Sequence, residues 1–128
     1  MITDELARRL NLSLPADFKA YRDKGGGGLP PWEFLDDSGA MQLKSLVDEK
    51  YKSHRACLPF ARDFSSDDIV MFTPEGKVRP LHMYASEGWE SVMEYPSFRA
   101  WLPEAFEACI HQLERIATGK WYEPNTTT

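Results

Sequence analysis

The sequence predicts an α+β domain in which a mostly antiparallel β-sheet packs against flanking helices and the chain closes on a long amphipathic C-terminal helix. Three observations carry that expectation. Ile69-Val70-Met71-Phe72 is apolar on both faces, is closed by the turn residues Thr73-Pro74-Glu75-Gly76, and is followed by a second strand-like run over residues 78–84. Phe98, Trp101, Leu102, Ala105, Phe106, Cys109, Ile110, Leu113, Ile116 and Ala117 recur at the i, i+3, i+4 spacing of an amphipathic helix. The length of 128 residues suits one core, because a chain of that size buries roughly two thirds of its unfolded surface. A single domain over residues 1–122 is expected, with a flexible tail at 123–128.

Thr3 followed by Asp4 and Glu5 offers a cap and two carboxylates to the positive end of a first short helix, with Ile2, Leu6 and Leu10 on its apolar side. Pro15 fits the first position of a second helix in which Phe18 and Tyr21 share a face, and Gly25 ends it. The run Gly25-Gly26-Gly27-Gly28 then reads as a pliable turn. It is not a phosphate loop, because such a loop precedes a helix and ends in Lys-Ser or Lys-Thr, whereas Leu29-Pro30-Pro31 follows here.

Residues 32–35 read as a first strand, closed by the turn-like Asp36-Asp37-Ser38-Gly39, with residues 41–43 as a short return. Leu43, Leu46, Val47 and Tyr51 place a third helix over residues 44–54. Cys57-Leu58-Pro59-Phe60-Ala61 fits an edge strand or the start of a strand, since proline cannot donate a ladder hydrogen bond, and residues 62–68 form a polar loop. Ser97 caps the last helix, Pro103 should kink it or restart it one turn in, and Gly119 with Lys120 supplies the stop. Trp121 and Tyr122 are expected to pack back.

A formal net charge of -5 argues against nucleic acid as a partner, since phosphate binding needs clustered Lys and Arg. It favours a basic partner or serves solubility. No stretch approaches the length of a membrane span, and the acidic start Met-Ile-Thr-Asp-Glu is unlike a signal peptide, so a cytoplasmic protein is expected. Cys57 and Cys109 sit in apolar contexts, which suits reduced, buried thiols.

No constellation of catalytic residues stands out, and neither an enzyme activity nor a cofactor or metal is expected. A zinc site built from His54-Arg55-Ala56-Cys57 and Cys109-Ile110-His111 has poor spacing, because residues two apart on a helix point away from each other. A Cys57–His82 nucleophile pair has no local signature around it. Asp63, Asp67 and Asp68 lack the alternating ligands and the glycine of a calcium loop and read as a solvated turn.

In order along the chain, Leu14-Pro15 with Asp17 and Phe18, the glycines at 25–28, Leu58-Pro59-Phe60-Ala61, Asp67-Asp68, and Ser97-Phe98 with Trp101-Leu102 form a sparse pattern. That pattern, spanning roughly residues 1–117, resembles the SUKH superfamily of cell-wall-assembly-regulator-like and bacterial toxin immunity proteins. Two positions depart from it: Asp67-Asp68 stands where the family often has Gly-Asp, and the glycine segment is longer than usual. The resemblance implies a mixed sheet packed against helices. It also implies a protein that binds and blocks a cognate toxin delivered between bacterial cells, often a nuclease or other enzyme acting on nucleic acid. Relatives in eukaryotes look like regulatory binding domains, which supplies the alternative of a regulatory or scaffolding role.

A toxin with a basic cleft would meet an acidic face, because complementary charge steers the encounter. The expected partner-binding residues are Asp36, Asp37, Asp63, Asp67, Asp68, Glu87, Trp89 and Glu90, with Trp89 either an exposed anchor flanked by carboxylates or packed against the sheet.

Overall fold

The computed structural model describes residues 1–91 and 93–119. Helix α1 (Asp4–Arg9) is capped by Thr3, whose side chain accepts from the Leu6 N–H, and α2 (Ala16–Asp23) follows Pro15, which is its cap residue. Gly25, at φ +80°, takes the left-handed conformation that ends α2. Gly26 lies so close to Tyr21 that a Cβ would sit 2.5 Å from its ring, and the Tyr21 hydroxyl donates to the Gly27 carbonyl at 2.6 Å. The glycine run is thus folded onto α2 by contact with Tyr21 and leads into a strand.

Strands β1 (Trp32–Phe34), β2 (Leu58–Asp63), β3 (Ile69–Phe72) and β4 (Val78–Leu81) form one sheet in the order β1-β2-β3-β4. Every pairing is antiparallel, so the sheet is not the mixed one that the family resemblance implies. The β3–β4 hairpin follows its turn chemistry, and Pro80 lies on β4, an edge strand, where a missing N–H costs little.

Two expectations are corrected here. Arg62 and Asp63 end β2 and are not part of the polar loop. Pro59 stands at the start of β2, one of the two places expected for it, although β2 is an interior strand. It is tolerated because β1 pairs only with Ala61, Arg62 and Asp63, so β2 has one neighbour at Pro59, and because the β2–β3 register slips in a bulge between Pro59 and Ala61. Asp36-Asp37-Ser38-Gly39 is not a turn, and residues 41–43 are not a strand. Helix α3 runs from Asp37 to Lys50, with Asp36 as cap accepting from the Gly39 N–H at 2.7 Å, and a short 3-10 turn over Lys52–His54 follows it. Carboxylates at the positive end of a helix and Ala40, Leu43 and Val47 on one face account for the early start.

Helices cover both faces of the sheet. On one, Ile69, Met71 and Leu81 meet Val47, Tyr51 and Cys57 from α3 and the segment after it. On the other, Leu58, Phe60, Val70 and Phe72 meet α1, α2 and α4 (Phe98–Thr118). β3 is buried on both sides, as its unbroken apolar run requires. The Phe60 ring stacks on Phe72 at 4.1 Å and meets Trp101 edge-on at 5.3 Å, while Phe18 packs edge-on against Phe98 at 5.2 Å.

α4 is capped by Ser97, whose side chain accepts from the Ala100 N–H, and it runs through Pro103 as a single helix, without a restart, one of the two outcomes expected there. The proline ring lies on the exposed side. Asp17 accepts from the Arg99 N–H at 2.9 Å and so ties α2 to the first turn of α4. Gly119 ends the helix at φ +70°. The expectations placed on Lys120, Trp121, Tyr122 and the tail at 123–128 lie outside the described residues.

Candidate functional site

At one end of the sheet, where Trp32 faces Asp63 and Ile69 faces Leu81, the loop of residues 64–68 and the segment of residues 82–91 come together. The His82 imidazole reaches the Asp68 carboxylate at 3.0 Å. The Asp63 carboxylate accepts from the Ser65 N–H and hydroxyl, and the Asp67 N–H donates to the Asp63 carbonyl, which leaves Asp67 in the left-handed region at φ +62°. The 82–91 segment closes on itself through the His82 N–H, which donates to the Glu90 carbonyl at 2.7 Å. The hydroxyl of the fully buried Tyr51 lies within hydrogen-bond distance of the Met83 and Ala85 carbonyls and pins the same segment from the C-terminal end of α3.

The outward side of these loops is aromatic and acidic. Trp89 is 72% exposed, Tyr84 81% and Phe64 51%, and the same two segments carry the exposed Asp67 and Glu87 and the partly exposed Asp68, with the partly exposed Asp63 just before the first. Lys50 Nζ lies 5.7 Å from the Tyr84 ring centroid, a cation-π distance. Exposed large aromatics on a pinned backbone have the chemistry of interface anchors, since little conformational entropy remains to be lost on binding.

The other expected site residues are placed elsewhere. Leu35 pairs with Phe60, three residues from Asp63 along β2, so Asp36 and Asp37 lie toward the opposite end of the sheet. Asp36 caps α3 and lines a cleft of about 550 Å3 with Glu33, Leu43 and Arg62. Asp37 accepts from the Thr3 N–H at 2.9 Å and from its hydroxyl at 2.7 Å, clasping the N-terminus of α1. Glu90 departs from its expected place on the exposed acidic face, because its side chain is buried.

Glu90 belongs to a cluster with no local signature in the sequence. One carboxylate oxygen meets His54 Nε2 at 2.8 Å and the other accepts from the Gly88 N–H at 2.6 Å. Arg79 Nη1 approaches His54 Nδ1 at 3.1 Å. A guanidinium has only N–H groups to offer, so Nδ1 accepts and Nε2 carries the proton donated to Glu90. Arg79 also binds Glu94 at 2.6 Å and approaches the Cys57 sulfur at 3.4 Å. Burial opposes the charge on Glu90, but the bonds from His54 and from backbone N–H groups outweigh it and hold the carboxyl below its usual range.

A carboxylate orienting a histidine beside a cavity of about 300 Å3, lined by His54, Arg79, Ser91, Met93 and Glu94, has the outline of a base and its orienting group. The lone pair that would accept a proton is, however, taken by Arg79. Burial pushes the Cys57 thiol up, against the opposing pull of Arg79 and Lys44, which suits an inert core cysteine. The cluster's evident work is mechanical: it fastens the Gly88–Trp89 loop to the body.

The pairs considered for metal or nucleophile chemistry do not meet. Cys57 packs with α3 on one face of the sheet, whereas Cys109 belongs to α4 on the other. Cys57 precedes the end of β2 that pairs with Phe72, and His82 follows the end of β4 that pairs with Ile69, so the two lie at opposite ends of the sheet. Among the described residues no three His, Cys, Asp or Glu side chains converge on a point that could hold a metal ion, and no helix is long and apolar enough to cross a membrane. No protein-family model matches the chain, and no curated protein matches it.

Proposed function

We propose that this chain is a cytoplasmic immunity-type protein without enzymatic activity, which binds a cognate, basic-surfaced toxin and blocks it by contact. The observation that carries the reading is the pair of exposed aromatics Tyr84 and Trp89 on a segment pinned by Tyr51, Glu90 and Asp68, which carries Glu87 and meets the loop of Asp63, Asp67 and Asp68 through the His82–Asp68 contact. Rigid aromatic anchors in an acidic surround suit a partner whose basic cleft must be covered: the anchors supply affinity, and the carboxylates supply steering and selectivity. The sparse pattern that resembles the SUKH superfamily supports the same reading. Asp17, Phe18, Phe60, Phe98 and Trp101 from that pattern meet in the aromatic core and at the first turn of α4.

The test is binding to the toxin encoded by the reading frame next to this one. Trp89→Ala should weaken that complex at least tenfold, chiefly by faster dissociation, while leaving the urea midpoint of the free protein unchanged. Glu87→Lys should slow association and flatten its salt dependence. Unaltered affinity in both variants would remove this surface from the interface, and a complex formed only with a housekeeping protein of the host would replace immunity by scaffolding.

A further inference from the structure

We infer that the outer face of α4 is the seat of a second copy of this chain, paired antiparallel with its own α4 about a two-fold axis near Phe106. The apolar stripe of α4 is wider than the core it covers. Phe98, Trp101, Ala105 and Cys109 are buried, but Phe106 is 57% exposed and Leu113 55%, and Ile110 and Ile116 are also among the exposed large side chains. Phe106, Ile110 and Leu113 follow a 4-3 spacing, the seam of a helix that packs against another helix.

The two halves of this face differ in a way that makes it complementary to itself when reversed. The N-terminal half is concave: Tyr21, Leu29, Arg99, Leu102, Pro103 and Phe106 line a mostly apolar groove of about 500 Å3. The C-terminal half carries Ile110, Leu113 and Ile116 standing out from the body. One pair of opposite charges follows the same polarity. Arg99 sits at the groove end and Glu114 lies 15 residues on, and neither forms a salt bridge to another described residue. At a rise of about 1.5 Å per residue they are roughly 22 Å apart along the axis.

Antiparallel pairing that brings Arg99 of one copy to Glu114 of the other places the two-fold axis between Phe106 and Glu107. Phe106 then meets its own symmetry mate, and Ile110 and Leu113 of each copy fall over the groove of the other. Both ends are satisfied twice over, as an isologous interface requires. A single helix face with one groove is at the small end of specific interfaces, so the dimer should dissociate in the micromolar range.

Sedimentation equilibrium of the full chain tests this, with a dimer expected to predominate at ~100 µM and a monomer at ~1 µM. Arg99→Glu and Glu114→Arg should each weaken association about tenfold, since each reversal acts at two symmetric contacts. The double variant should restore it to within a few-fold of the parent. Leu113→Asp should stay monomeric at ~100 µM, with a thermal melt that matches the parent's at ~1 µM, where the parent is also monomeric. A parent that remains monomeric at that concentration overturns the inference. So does a double variant no tighter than the singles, or a dimer that forms only after residues 120–128 are removed, which would make the tail the occupant of the face.

Discussion

Phe60→Ala is expected to destabilise the fold by about 3–5 kcal/mol, a large share of the 5–15 kcal/mol that holds a domain together. Phe60 is fully buried at the centre of the aromatic cluster, stacked on Phe72 and met edge-on by Trp101, with Phe18 and Phe98 each 5.8 Å away. Those neighbours come from α2, β3 and α4, so the cavity left behind cannot close without moving three elements that also pack on one another. Urea denaturation should show a midpoint lower by on the order of 2 M with a similar slope. The control is Phe106→Ala on the outer face of α4, which at ~1 µM, where the chain is monomeric, should shift the same midpoint by less than about 0.3 M. Equal losses for the two phenylalanines would contradict the assignment of the core.

Glu90→Ala is expected to cost about 2–3 kcal/mol, although it removes only one side chain from a surface segment. The substitution deletes a carboxylate that accepts from His54 Nε2 and the Gly88 N–H, and it leaves the buried Nε2–H of His54 without a partner. Glu90→Gln keeps the shape and one acceptor, and should cost about half as much. The pH dependence follows from the direction of the carboxyl's shift. Its pKa is lower in the folded protein than in the unfolded chain, where a glutamate titrates near about 4.3. The stabilisation is therefore fully present above that value and is lost as pH falls through the folded-state pKa. Stability curves of parent and Glu90→Ala should thus run parallel from pH 8 to about 5 and converge below about pH 4. A gap that stays constant to low pH would mean that the carboxylate charge plays no part in the fastening.

Hydrophobic period and turn chemistry made the β3–β4 hairpin and α4 legible in the sequence, because both signals are local. The start of α3 was not legible in the same way. Asp36-Asp37-Ser38-Gly39 suits a turn and a helix N-terminus equally, and the choice is made by Ala40 and Val47 packing against the sheet. Pro59 by its chemistry suits an edge strand or the start of a strand, and it opens β2, an interior strand, at a point that β1 is too short to reach.

The site was half legible. Glu87 and Trp89 lie outside and Asp63, Asp67 and Asp68 share their end of the sheet, but Glu90 is drawn inward by His54, which is 36 residues away and flanked by no signal. Tyr84 and Phe64 were not singled out, since exposure of an aromatic is decided by the loop's path and not by its neighbours in sequence. The apolar stripe of α4 reports an amphipathic helix without saying what covers each part of it.

The central claim is that the chain acts through the loops at the β4 end of the sheet. Amide hydrogen exchange of the protein, alone and with the product of the adjacent reading frame as the proposed toxin, tests it most directly. The account predicts new protection concentrated in residues 64–68 and 82–90, with the sheet unchanged. Protection confined to other surfaces, or none at all under conditions where that toxin is active, would contradict it.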